Sequence, residues 1–183
     1  RVNIERQLRE ANTRGECRTT VARLPDLYGP DVHSRCMRRI FPAVIDGRAV
    51  TWPGDLDADR EFVHVDDAAA AMVRLAESEV AWGKAWHVPG PGTTSARQFI
   101  STAFDEAGNE PDVREAFGVA INMTDRFTKD AREEKEIFYM FLRPPILDGT
   151  SWTKAFSSLP PSRPYEDGLK ETVQWWKAHL EDG

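Results

Sequence analysis

The sequence predicts an α/β fold, and three observations carry the prediction. Segments with helical spacing of apolar residues alternate with short β-branched or aromatic runs along the chain. The composition, 40% hydrophobic and 30% charged over 183 residues, is that of a water-soluble globular chain. Only one run, Thr19-Thr20-Val21-Ala22-Arg23-Leu24, has the character of a buried parallel strand, so further strands are expected from chain not shown here or from a partner.

The elements follow in order. Residues 2–14 read as a helix, with Ile4, Leu8 and Ala11 on one face and Gly15 as its stop. The strand at 19–24 comes next, and then a loop punctuated by Pro25-Asp26 and Tyr28-Gly29-Pro30. Ser34 caps a helix over 34–46 whose apolar face holds Met37, Ile40, Phe41, Val44 and Ile45. Ala49–Trp52 and Phe62–Val65 are short strands, and Asp66 or Asp67 caps an Ala-rich helix to about Ser78. Ala85–Val88 is a strand, and Thr94 or Ser95 caps a helix to Ala107. Residues 111–114 read as a short strand, and helices fill 117–142. The run Lys129–Glu136 reads as a solvated helix face with i,i+4 charge pairs, and Ile137–Leu142 as core, lid or dimer contact. Pro144-Pro145 breaks the chain, and Tyr165–Leu180 forms the last helix.

Several function classes fall away. Twenty-four basic against thirty acidic residues give a net charge of −6, which disfavours nucleic-acid binding through bulk positive charge. No run reaches the roughly 18 consecutive apolar residues of a membrane helix. The start, Arg1-Val2-Asn3-Ile4-Glu5, has no signal-peptide pattern, and a cytoplasmic location is expected. Cys17 and Cys36 are too few for a disulfide scaffold and match no metal spacing. His33, His64, His87 and His179 form no metal-binding pair, so no metal is expected, and no G-x-S-x-G is present.

Three segments carry a resemblance. Arg23-Leu24-Pro25-Asp26-Leu27-Tyr28-Gly29-Pro30 is similar to an R-x-x-N-V-Y-G-P motif, and Arg60-Glu61-Phe62-Val63-His64-Val65-Asp66-Asp67 to R-D-F-V-H-V-x-D. Lys154-Ala155-Phe156 with Tyr165–Trp175 is similar to a terminal K-A-x-x-L-G-x-x-P…E-G-L-x-x-T-V-x-W. In this order, and over nearly the whole chain, they resemble the extended short-chain dehydrogenase/reductases, the NAD-dependent epimerase/dehydratase family. The resemblance implies the last strands and helices of a Rossmann-type doubly wound sheet plus a mostly helical substrate-binding lobe. It places the boundary at residues 1–33 for the nucleotide-binding part and 34–183 for the lobe, with about 62–88 returning to the sheet.

Two hallmarks of that family are missing from the sequence. There is no G-x-x-G-x-x-G, the turn that lets backbone approach a pyrophosphate at a helix N-terminus. There is no Y-x-x-x-K either: Tyr28, Tyr139 and Tyr165 are followed four places on by Val32, Arg143 and Leu169. The expectation is therefore the C-terminal half of such a protein. The resemblance implies a Glu four residues after the motif lysine, and counting back from Glu5 then puts Arg1 in that slot, where its fixed fork would hold ribose hydroxyls without a tunable proton; the alternative is a register slipped by a few residues.

The resemblance also supplies site residues, each with a plainer alternative. Arg1, Pro25 and Asp26 are the cofactor-binding candidates. Pro25 and Asp26 follow the parallel strand, where ligands of open α/β sheets bind, although Asp26 also suits a turn or helix cap. Tyr28, Arg60, Arg143 and Trp152 are the substrate-binding candidates. Arg60 matches an arginine that contacts a substrate diphosphate, or else it serves a local ion pair in an acidic loop. Arg143 stands near a second such arginine, and Trp152 lines a pocket or anchors a core. The implied activity is NAD- or NADP-dependent epimerisation, dehydration or reduction by hydride transfer. The implied substrate is nucleotide-sugar-like or a small carbonyl or alcohol. A non-catalytic dinucleotide sensor of the same fold is the alternative. The expected partner is a small-molecule substrate, with no nucleic acid and no membrane, and a homodimer is an allowed assembly.

Overall fold

A computed structural model of the chain describes residues 2–116, 139–157 and 162–180. The elements are α1 (Val2–Thr13), β1 (Val21–Arg23), β2 (Asp26–Tyr28), α2 (Arg35–Ile45), β3 (Val50–Trp52), β4 (Asp59–Arg60) and β5 (Phe62–His64). Then come α3 (Val65–Glu77), β6 (Ala85–His87), β7 (Thr94–Ser95), α4 (Ala96–Ala107) and β8 (Val113–Glu115). The last three are α5 (Tyr139–Leu142), α6 (Thr150–Ala155) and α7 (Tyr165–His179). Apart from α5, the helices expected over 117–142 lie outside the described residues, as do Arg1 and the Lys129–Glu136 run.

The predicted α/β class holds, with more parallel pairing than one strand would give. β1 pairs with β6, β2 with β5 and β3 with β8, all parallel, while β4 and β7 pair antiparallel. Residues 26–28 are thus a strand where the sequence reads as a loop. Their ladder, Asp26↔Phe62 to Tyr28↔His64, comes from a partner far along the chain and not from local propensity.

The helices form where apolar stripes and caps coincide. Ser34 is extended and accepts from the Met37 N–H at 3.3 Å, and α2 buries Met37, Ile40, Phe41 and Val44. Ser95 does the same for α4 through the Gln98 N–H at 3.1 Å, and Gly108 closes that helix at φ 81°. On α7, Leu169, Val173 and Trp176 lie one turn apart and are buried against α2 and α4. These helices enclose the larger core, joined by Tyr28, Trp52 and Phe62 from the strands. A satellite core of Leu75, Trp86, Val88 and Phe156 packs on β6. No helix among the described residues is long and apolar enough to cross a membrane.

The start of α3 departs from expectation. His64 is its N-cap, with ring Nδ1 accepting from the Asp66 N–H at 3.3 Å. Asp66 and Asp67 sit inside the first turn, where their charge complements the helix dipole.

Candidate functional site

The parallel pair β1–β6 ends at Arg23 and His87, and the chain beyond β1 turns through Leu24, Pro25 and Asp26. Ligand clefts of open α/β sheets lie at such carboxyl ends. Here Leu24, Pro25 and Asp26 form one wall of a cleft of about 120 Å³. Arg60 and Glu61, at the junction of β4 and β5, form its floor, and Met140, Phe141, Pro144, Pro145 and Leu147 close the far side.

Arg60 is the chemical centre of this cleft. Its side chain is only 2% exposed. The guanidinium carbon lies 4.6 Å from the Trp52 ring centre, 5.7 Å from Phe62 and 5.9 Å from Phe141. Aromatic faces hold a cation in place without consuming its N–H donors. Nη1 donates to Asp26 Oδ2 at 3.4 Å and Nη2 to the Met140 carbonyl at 3.5 Å, both long for charge-assisted bonds. Nε is buried and finds no hydrogen-bond partner among the described residues. Such an orphaned donor beside a cleft calls for an acceptor. Burial pulls the Arg60 pKa down, and the neighbouring Asp26 carboxylate partly offsets that. Asp26 is crowded enough for burial to raise its carboxyl pKa against the pull of Arg60, although 58% of the side chain still reaches solvent.

The other named residues fall in different places. Tyr28, two positions along β2 from Asp26, is fully buried, edge-on to His64 and Phe99. Its hydroxyl lacks a partner among the described residues, and a Cβ on Gly168 would collide with it. Arg143 is exposed and directly precedes Pro144 of the cleft wall. Trp152 is half-buried and packs at 4.5 Å on Phe156 of the satellite core, away from the cleft lining. The structure therefore brings Pro25, Asp26 and Arg60 together and leaves Tyr28, Arg143 and Trp152 outside the lining.

Two groups of residues escape sequence reasoning. Glu61, 8% exposed, accepts from the Leu147 N–H at 3.4 Å and ties the far wall to the floor. Its position next to Arg60 in the quoted motif was the available signal. The second group surrounds His64, which is fully buried. Arg163 pairs with Glu171, approaches Asp66 at 3.6 Å, and places Nη1 3.4 Å from His64 Nε2. Its backbone N–H donates to Asp67 at 2.6 Å. His64, Asp66 and Glu171 have the spacing of a cation site, and the Arg163 guanidinium sits among them.

Residues 1–89 match the model of the NAD dependent epimerase/dehydratase family. The epimerase Mth375 of Methanothermobacter thermautotrophicus superposes with a TM-score of 0.73 at 15% identity, covering 97% of this chain and 48% of that one. UDP-glucose 4-epimerase of Thermotoga maritima gives 0.71 at 21% identity, covering 98% and 52%. UDP-N-acetylglucosamine 4-epimerase of Methanobrevibacter ruminantium gives 0.71 at 17%, covering 97% and 52%. These likenesses establish the Rossmann-type epimerase fold, and the chain spans about half the length of the structures it matches. No curated protein matches the chain in sequence.

Proposed function

We propose, on the match of residues 1–89 to the model of the NAD dependent epimerase/dehydratase family, that this chain is the C-terminal half of an NAD- or NADP-dependent epimerase, dehydratase or reductase. Its substrate is nucleotide-sugar-like, and the reaction proceeds by hydride transfer. Residues 1–33 supply the end of the nucleotide-binding part and 34–183 the substrate lobe, with about 62–88 returning to the sheet. The observation that carries the proposal is the buried Arg60, with its orphaned Nε, flooring a cleft at the carboxyl end of β1.

The residues present fit one end of a dinucleotide. Asp26 is an acceptor and suits the hydroxyl and amide donors of a nicotinamide–ribose end. It does not suit a pyrophosphate, whose glycine-rich cradle this sequence lacks. A bound nicotinamide dinucleotide supplies the hydride donor and acceptor. Pro25 and Asp26 orient that end, and Arg1, outside the described residues, is assigned to the ribose. Arg60 holds an anionic group of the substrate through its fork, as bidentate recognition requires. Arg143, next to the Pro144 of the cleft wall, is assigned to the substrate side, while Tyr28 and Trp152 anchor the two cores. A cleft of about 120 Å³ takes only part of such a ligand, since whole small-molecule sites run to roughly 300–1,000 Å³. The proton-moving tyrosine is assigned to chain beyond this sequence, because no Tyr here has a Lys four places on.

The test uses the full-length protein. It should bind NAD(H) or NADP(H), and a UDP-sugar, with constants below about 1 mM. Arg60→Lys keeps the charge and loses the fork. It should weaken UDP-sugar binding roughly tenfold, the loss of about 1.4 kcal/mol in a charge-assisted hydrogen bond, and leave dinucleotide affinity close to the parent's. Failure to bind either dinucleotide sinks the proposal.

A further inference from the structure

One wall of the cleft is a strap, residues 139–147, that contributes Met140, Phe141, Pro144, Pro145 and Leu147 to its lining. Two features outside the ligand-facing pair Asp26 and Arg60 hold it there. At one end the Phe141 backbone passes so close to Gly54 that a Cβ built there would lie 2.6 Å from the Phe141 carbonyl oxygen and 2.8 Å from its carbon. This approach lets the Phe141 ring meet Trp52 edge-on, 5.4 Å between centres, on the face that carries Arg60. At the other end the Glu61 carboxylate accepts from the Leu147 N–H at 3.4 Å, across 86 residues of chain. Between them, Pro144 and Pro145 stiffen the span, since each fixes its own φ and restricts the residue before it.

We propose that Gly54 and Glu61 are positioning residues that seat the 139–147 strap and so set how tightly the cleft holds its ligand. The proposal rests on the reading that this cleft binds substrate or cofactor. The two residues act by separate means, a missing side chain at one end and a buried acceptor at the other. A stiff strap pinned at both ends keeps Met140, Phe141 and Leu147 at a fixed distance from Asp26 and Arg60. Neither residue moves a proton or touches the reacting atoms. Their loss should therefore appear in ligand affinity and KM.

The experiment takes full-length parent, Gly54→Ala, Glu61→Ala and Glu61→Gln, each first shown to melt cooperatively. Amide hydrogen exchange is read over 139–147, and NAD and UDP-glucose are the binding probes. Gly54→Ala and Glu61→Ala should each raise exchange in the strap about tenfold and weaken UDP-glucose binding several-fold. Glu61→Gln keeps an acceptor oxygen and should restore most of both effects. Strap exchange unchanged in both alanine variants overturns the seating. Faster exchange with unchanged ligand affinity overturns the positioning role. A parent that binds neither probe sinks the functional reading and the affinity half with it, while the exchange arm still decides the seating.

Discussion

His64 caps a helix with a ring nitrogen, and that makes its protonation state structural. Nδ1 accepts from the Asp66 N–H, and Nε2 stands between the Arg163 guanidinium at 3.4 Å and the Glu171 carboxylate at 3.9 Å. The groups that face it are Arg163, Glu171, Asp66 and Asp67, with the Tyr28 ring edge-on. Burial lowers the His64 pKa, Arg163 lowers it further, and the three carboxylates pull the other way. A histidine with a depressed folded-state pKa stabilises the fold fully above its unfolded value near 6.5. That contribution is lost as pH falls through the folded value, because the unfolded chain takes up the proton first. Tm should therefore drop more steeply between about pH 7.5 and pH 5.5 in the parent than in His64→Asn, which keeps a capping side chain without a titratable ring. Parallel Tm–pH curves for the two proteins would count against this role.

At the level of elements, caps decide which helices are firmly set. Ser95 is the sole side-chain cap seen on α4, a helix that packs on both α2 and α7. Ser95→Ala should cost about 1 kcal/mol and lower Tm by roughly 2–4 °C, with Ser95→Thr recovering most of it in thermal melts. A melt unchanged by the alanine would mean that tertiary packing alone sets the start of α4. Ser34 is legible in the sequence because a capping serine acts on an amide three residues away, and of the pair Thr94 or Ser95 the structure selects Ser95 by the same contact. β2 was not legible: Asp26-Leu27-Tyr28 after a proline has no strand signature, and its partner lies 36 residues on. The α3 cap was misassigned to an aspartate because statistics favour Asp there, whereas burial of the neighbouring ring put His64 in the capping place. The site shows the same division. Asp26 and Arg60 stood out through local motifs, while Glu61 gains its meaning from Leu147, 86 residues away.

Over the whole molecule, two cores differ in depth. The larger one is enclosed by α2, α4 and α7, and the satellite leans on β1 and β6, whose pair has no further strand among the described residues. A two-stranded ladder has little stability of its own. In the 183-residue chain, amides of Ala85–His87 should exchange through openings of lower free energy than those in the middle of α4, read by native-state hydrogen exchange. One common opening energy for both would show that the cores melt as one. Contacts that span the chain also meet at the β5–α3 junction, where Arg163 reaches Asp67 from 96 residues away and His64 from 99. Its guanidinium supplies, as part of the polypeptide, the positive charge that His64, Asp66 and Glu171 surround. A counter-ion bonded into the backbone is not lost on dilution and is not stripped by a chelator, so this junction keeps its charge balance whatever the supply of free divalent ions.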